Sequence, residues 1–164
     1  MENNLPKRKA LRLVEFDYNT PGAYFITVCT RNREPIFWLD CRGELCSPGD
    51  IPLSEVGIIV DREIQRLDAT YNALCVEKYC IMPNHIHLIV AINTDENGRT
   101  QFAPTISRAV KQFKGAVTKQ TGYPIWQRSY YDHVIRNQED YNMIAKYMEE
   151  NPLRWELGKL YSAE

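Results

Sequence analysis

The sequence has almost no net charge: 20 Lys and Arg face 21 Asp and Glu, a formal −1. That excludes a uniformly basic nucleic-acid binder, so any affinity for anions must rest on local patches. No apolar stretch approaches the roughly 20 residues that span a bilayer. The polar residues at the start contain no apolar core of a signal peptide. The protein is therefore expected in the cytoplasm, away from membranes. Cysteine is limited to five, an odd number in no secreted-framework pattern. Cys41/Cys46 and Cys75/Cys80 share a C-x4-C spacing, but thiolates at zinc sites usually sit closer together. Cys75 and Cys80 also fall in a β-like run, where a separation of five places them on opposite faces unless the strand is broken. Buried free thiols are the better reading. There is no internal repeat, no low-complexity run and no linker.

What is present fits one domain over residues 1–164, long enough to bury a core without staples. Ala23 to Thr30 reads as a strand after the Pro21-Gly22 turn. A short hairpin is expected around Glu44 to Leu53. Ser54 can cap a helix to about Leu67, with Val56, Ile59, Val60, Ile64 and Leu67 as its apolar stripe. Ala73 to Met82 and His85 to Ile92 read as strands joined at Pro83-Asn84. A second helix spans about Thr105 to Gln120, where Ile106, Val110, Phe113 and Val117 fall within a sector of about 60°. Trp126 to Arg136 is extended. Asn137 then caps a third helix, expected to end near Asn151 because a proline disfavours helix in the residue before it. This order suggests an α+β fold, one antiparallel sheet with its helices mainly on one face.

Charge is unevenly spread. Met1 to Arg12 carries +3, and Thr105 to Arg136 carries +5 from Arg108, Lys111, Lys114, Lys119, Arg128 and Arg136 against Asp132. Arg108, Lys111 and Lys119 lie opposite the second helix's apolar face. They could track a phosphate backbone or simply form a solvated face. Tyr123, Trp126, Tyr130 and Tyr131 are interleaved with Arg128 and could stack unpaired bases or pack the core.

Two of the three histidines, His85 and His87, stand at i and i+2 on a strand, so both imidazoles share one face. That is a start for a divalent metal site, although a bare H-x-H equally describes two packed histidines. The third helix can supply what is missing. Tyr147 and Asn151, four apart, share a helical face, placing a hydroxyl beside an amide oxygen able to ligate metal. Metal would polarise a phosphate while a phenolate attacks in line. A phenol is protonated at neutral pH, so such a site must favour the phenolate in the transition state. Tyr141 lies with Ile144 and Met148 in the centre of that helix's apolar stripe, has Ala145 at i+4, and reads as core. His133 is a lone histidine with a structural role.

The strings YCIMPNHIHLIV and IWQRSYYDHVIRNQEDYNMIAKYMEENPLRW resemble the REP-associated tyrosine transposases. These are relatives of the small IS200-like transposases in the HUH single-strand endonuclease superfamily. The resemblance runs from about Gly22 to Trp155. It rests on the strand at Tyr24–Thr30, the M-P-N-H-x-H-L block, the block from Ser107 to Lys114, and the Y-M-x-x-N-P block. It implies a ferredoxin-like fold, His85 and His87 as metal ligands, Tyr147 as nucleophile and Asn151 completing the site. It further implies cleavage of single-stranded or hairpin-flanked DNA through a 5′-phosphotyrosine, with Mg²⁺ or Mn²⁺ as cofactor. The shorter insertion-sequence relatives have glutamine at the Asn151 position and exchange the tyrosine helix between subunits, so monomer and homodimer both remain open. Two rival readings differ in chemistry. A non-catalytic nucleic-acid-binding module would use the aromatic–basic run, and a metal hydrolase would activate water at the histidine pair.

Overall fold

The computed structural model describes residues 20–39, 52–93 and 105–161, with side chains through residue 155. The expected hairpin near Glu44, the Cys41/Cys46 pair and the basic N-terminal stretch lie outside the described residues. Four strands, β1 (Gly22–Cys29), β2 (Leu74–Met82), β3 (His85–Ile92) and β4 (Tyr131–Ile135), form one antiparallel sheet ordered β2-β3-β1-β4. With α1 (Glu55–Thr70) and α2 (Ile106–Thr121) as crossovers, this is the ferredoxin-like arrangement of two split βαβ units.

Strand alternation sorts the two faces. Tyr24, Ile26 and Val28 of β1 and Ile86, Leu88, Val90 and Ile92 of β3 are buried together with Val60 and Ile64 of α1 and Ile106, Val110, Phe113 and Val117 of α2. Phe25 and Ile89 point the other way, against Met148 of α3 (Gln138–Tyr161). Two helices thus cover one face and α3 the opposite one. Local chemistry starts each helix where it begins. Ser54 Oγ accepts from the Gly57 amide at 3.0 Å, Thr105 Oγ1 from the Arg108 amide at 3.1 Å, and Asn137 Oδ1 from the Asp140 amide at 2.8 Å. Gly122, at φ 79°, ends α2 in the left-handed conformation that glycine adopts without penalty.

Two expectations are corrected. The third helix does not stop near Asn151 but continues through Pro152 to Tyr161. An interior proline costs roughly 3 kcal/mol. The turn beyond it brings the Trp155 ring to 6.2 Å from His85, a contact that helps offset that cost. The pairing of β2 with β3 also shifts between Val76 and Lys78, a β-bulge at Glu77. Cys75 therefore pairs with Ala91 and Cys80 with His87, so both sulfurs share a face. Four register steps still hold them about 13 Å apart, too far to share an ion, and both are free thiols.

Gly57 is fixed by close approach. A Cβ there would stand 2.2 Å from the Phe37 carbonyl oxygen, an atom that also accepts from the Ser54 amide. Gly57→Ala must push α1 off the segment that caps it. A stability loss of about 1–3 kcal/mol is expected, read as a lower urea midpoint with unchanged slope.

Candidate active site

The Pro83-Asn84 turn and the first residues of β3 build the centre. Asn84 is held from two sides: its carbonyl accepts from the Thr30 amide at 2.9 Å and its Nδ2 donates to the Arg33 carbonyl at 3.1 Å. That second bond fixes the amide orientation and aims Oδ1 at His85 Nδ1, 2.7 Å away. A carbonyl oxygen only accepts, so His85 carries its proton on Nδ1 and leaves Nε2 as a lone pair. His87 is paired across the sheet with Thr27, whose Oγ1 lies 2.9 Å from Nδ1. His87 Nε2 meets Asn151 Nδ2 of α3 at 3.0 Å. With Asn151 donating, His87 has its own lone pair on Nε2.

The two Nε2 atoms stand 3.1 Å apart. At that separation one cation could lie against both nitrogens, taking the place of the Asn151 amide hydrogen at His87. Ligands at right angles on an ion roughly 2.1 Å away stand about 3 Å apart, close to the observed separation. Turning the Asn151 amide over presents Oδ1 as a third donor. Among the described residues no cluster of three His, Cys, Asp or Glu side chains exists. Two imidazoles and one amide are the donor set that could hold a divalent metal here, and their chemistry fits one.

Burial, and secondarily the Arg33 guanidinium, lowers the His85 pKa to about 4. Burial and then neighbouring His85 lower that of His87 to about 3. Both imidazoles are neutral, as ligands must be, well below pH 7. Their ordinary pKa is 6.5. As pH falls below that value the unfolded chain takes up protons before the folded one does. Metal-free protein should therefore keep this contribution to stability above about pH 6.5 and lose it progressively towards pH 3–4. Urea unfolding at pH 7 and 4.5 checks this: the loss on acidification should be smaller in His85→Asn.

Tyr147 lies one helical turn before Asn151. Its ring centre is 5.4 Å from His87 and 6.4 Å from Phe25, and 43% of the residue is exposed. The hydroxyl-bearing ring therefore borders both His87 and solvent. Tyr141 packs half-buried with Ile144 and Ala145 around Phe25, Ile89 and Met148, and burial raises its pKa. His133 pairs with Asp140 at 2.9 Å, tying β4 to the start of α3.

The candidates for DNA contact fare differently. Trp126 is 8% exposed and packs between Phe37 and Phe113 at ring distances of 5.5 Å. It is a core residue, and no base can stack on it. Tyr130 is half-buried against the same core, with its hydroxyl 3.0 Å from Ser107 Oγ, so its ring is likewise committed. Arg108, Lys111 and Lys119 are exposed on α2, across the sheet from the histidines, and the fold does not bring them to the site. Arg128 is exposed beside the end of β1, on a segment whose carbonyls accept from Lys114. Thr27, Asn84 and Trp155 were missed in the sequence. Asn84 carried a signal in preceding His85 directly, whereas Thr27 is placed only by strand register.

No protein-family model matches the chain. A Haemophilus influenzae protein without an assigned function is 30% identical over 173 residues, covering 94% of this chain and 93% of the relative. A second H. influenzae protein, provisionally named a REP-associated tyrosine transposase, is 23% identical over 84% of this chain and 74% of its own length. The likeness seen in the sequence motifs thus extends to a relative that carries the REP-associated tyrosine transposase name. A solved member of that family, bound to a REP hairpin, matches with a TM-score of 0.61 and 22% identity. The match covers 87% of this chain and 73% of that one, and it supports the shared fold. The helix added across the ferredoxin-like sheet, α3, carries both Tyr147 and Asn151 to the histidine strand.

Proposed function

We propose that this protein is a REP-associated tyrosine transposase, a metal-dependent endonuclease and strand transferase for single-stranded DNA beside a hairpin, with Tyr147 as its nucleophile. The observation that carries the reading is the convergence of two Nε2 atoms, 3.1 Å apart, beneath a half-exposed tyrosine. A Mg²⁺ or Mn²⁺ ion held by His85, His87 and Asn151 would polarise the phosphate and orient it for in-line attack. The Tyr147 oxygen, having lost its proton, forms a bond to phosphorus. The bond from phosphorus to the 3′ oxygen breaks, and that oxygen takes a proton to become a hydroxyl. The products are a 5′-phosphotyrosine and a free 3′-hydroxyl. Because the phosphodiester energy is retained, a second strand's 3′-hydroxyl can attack the linkage, release Tyr147 and join the strands. Thr27 and Asn84 hold both imidazoles in the tautomer that leaves Nε2 free. The hairpin is proposed as substrate because the solved relative is bound to one. A single-stranded flank is proposed because stacking of bases on aromatic side chains requires that they be unpaired.

The test uses a labelled hairpin with single-stranded flanks, wild-type protein and Mn²⁺, followed by denaturing electrophoresis. A covalent protein–DNA band that disappears in excess chelator is expected. Cleavage without a band would establish the water-activating hydrolase instead. Binding with neither would leave a non-catalytic module. In competition at fixed salt, the flanked hairpin should outcompete a blunt duplex of the same sequence.

A further inference from the structure

Outside the histidine–tyrosine cluster, an open groove of about 320 Å³ runs between the 31–34 turn and the segment that precedes β4. Arg31, Asn32, Glu34 and Ile36 form one wall, Tyr123 and Ile125 the other. Small-molecule sites begin at roughly this size, about 300 Å³. The walls are fixed in advance. Thr30 Oγ1 donates to the Glu34 carbonyl at 2.8 Å, and the Arg31 amide donates to the Ile125 carbonyl at 2.7 Å. Asn32 and Arg33 have φ of 55° and 57°, a conformation that side chains other than glycine's rarely adopt and that these bonds maintain. Ile125 is buried and gives a firm apolar floor, whereas Tyr123 is 51% exposed and presents its ring. Asn84 ties the groove to the active site: its Nδ2 holds the Arg33 carbonyl and its Oδ1 holds His85.

We propose that this groove holds one unpaired base of the DNA strand next to the phosphate at His85 and Tyr147, and that Glu34 selects a base with an exocyclic amino group. The inference rests on the single-strand reading above and extends it to sequence preference. A flat ligand matches the Tyr123 ring over an apolar floor, because every base offers a π-face. Among the described residues neither Arg31 nor Arg33 has a carboxylate partner, so both are available to the flanking phosphates. Glu34 is what turns a general base site into a selective one. An ionised carboxylate repels phosphate and only accepts hydrogen bonds. It therefore suits the amino groups of cytosine, adenine or guanine and disfavours thymine, which has no amino group and whose single N3–H lies between two carbonyl oxygens that the carboxylate repels.

The test measures binding by fluorescence anisotropy with full-length protein and a flanked hairpin, in chelator so that the strand stays intact. Each flank position is made abasic in turn, and then each of the four bases is placed there. One position is expected where loss of the base weakens wild-type binding about tenfold and leaves Tyr123→Ala unaffected. At that position thymine should bind roughly tenfold more weakly than the other bases, a difference that vanishes in Glu34→Ala. Both altered side chains line an open groove, and circular dichroism verifies the fold. If no position responds to Tyr123→Ala, or thymine binds as well as cytosine, the inference is overturned. Adduct formation in Mn²⁺ by the same proteins separates the two proposals. An adduct without the positional pattern sinks the groove alone, and the pattern without an adduct sinks the chemistry alone.

Discussion

Tyr147→Phe is expected to bind flanked hairpin DNA as wild type does and to form no covalent adduct. Strand cleavage should fall at least ~10³-fold, the scale seen when a nucleophile is removed and the rest of a site stays intact. The substitution deletes one oxygen and keeps the ring. Its edge contacts with His87 and Phe25, at 5.4 and 6.4 Å between ring centres, involve no hydroxyl and should persist. Tyr141→Phe is the matched control on the same helix. Its ring packs against Phe25, Ile89 and Met148, and its hydroxyl faces Glu77 on β2, away from the imidazole pair. That variant should keep full cleavage and lose about 1 kcal/mol of stability or less, the net contribution of one partly exposed hydrogen bond. The two are compared by denaturing electrophoresis, with mass spectrometry of the linked peptide. An adduct that survives in Tyr147→Phe, or maps to Tyr141, would remove Tyr147 from the mechanism while leaving strand cleavage through a covalent tyrosine link intact.

Whatever depends on residues near one another in sequence was legible before any coordinates. Period-two alternation put His85 and His87 on one face, period 3.6 put Tyr147 and Asn151 on another, and both pairs meet in the fold. What stayed hidden depends on contacts between distant segments. Nothing local marks Thr27 as the partner of His87, because strand register follows from the whole sheet, 60 residues apart along the chain. The bulge at Glu77 changed the face of every residue beyond it, which overturned a parity argument about Cys75 and Cys80 that was sound for a regular strand. Pro152 was read by its local cost, but Trp155 beyond it touches His85, and tertiary packing decided the matter. Trp126 and Tyr130 look like a stacking surface in the sequence because aromatic rings serve cores and nucleic acids alike. Only the closeness of Phe37, Phe113 and Ser107 shows which use prevails.

Removing either histidine should also cost most of the activity, though less than removing the tyrosine, for a different reason and with a different remedy. His85 is partly exposed at the strand end, and His85→Ala should fold normally. His87 is 3% exposed beneath Phe25 and Tyr147, so His87→Ala also opens a cavity and should lose about 2–4 kcal/mol of stability. Both should cut adduct formation at least ~100-fold in Mg²⁺. Raising Mn²⁺ should restore part of the activity of His85→Ala, because imidazole and amide donors remain, and none of that of Tyr147→Phe. Asn151→Ala should fall between wild type and the histidine variants. It removes one donor and also the hydrogen bond that orients His87, so its metal requirement should rise more than its maximal rate falls. Direct Mn²⁺ titration by calorimetry, without DNA, gives a readout that does not depend on cleavage. Affinity should weaken in the order Asn151→Ala, then His85→Ala, and stay unchanged in Tyr147→Phe. Wild-type Mn²⁺ affinity in His85→Ala, or full cleavage by any of these proteins in excess chelator, would show that the convergent nitrogens serve packing rather than metal.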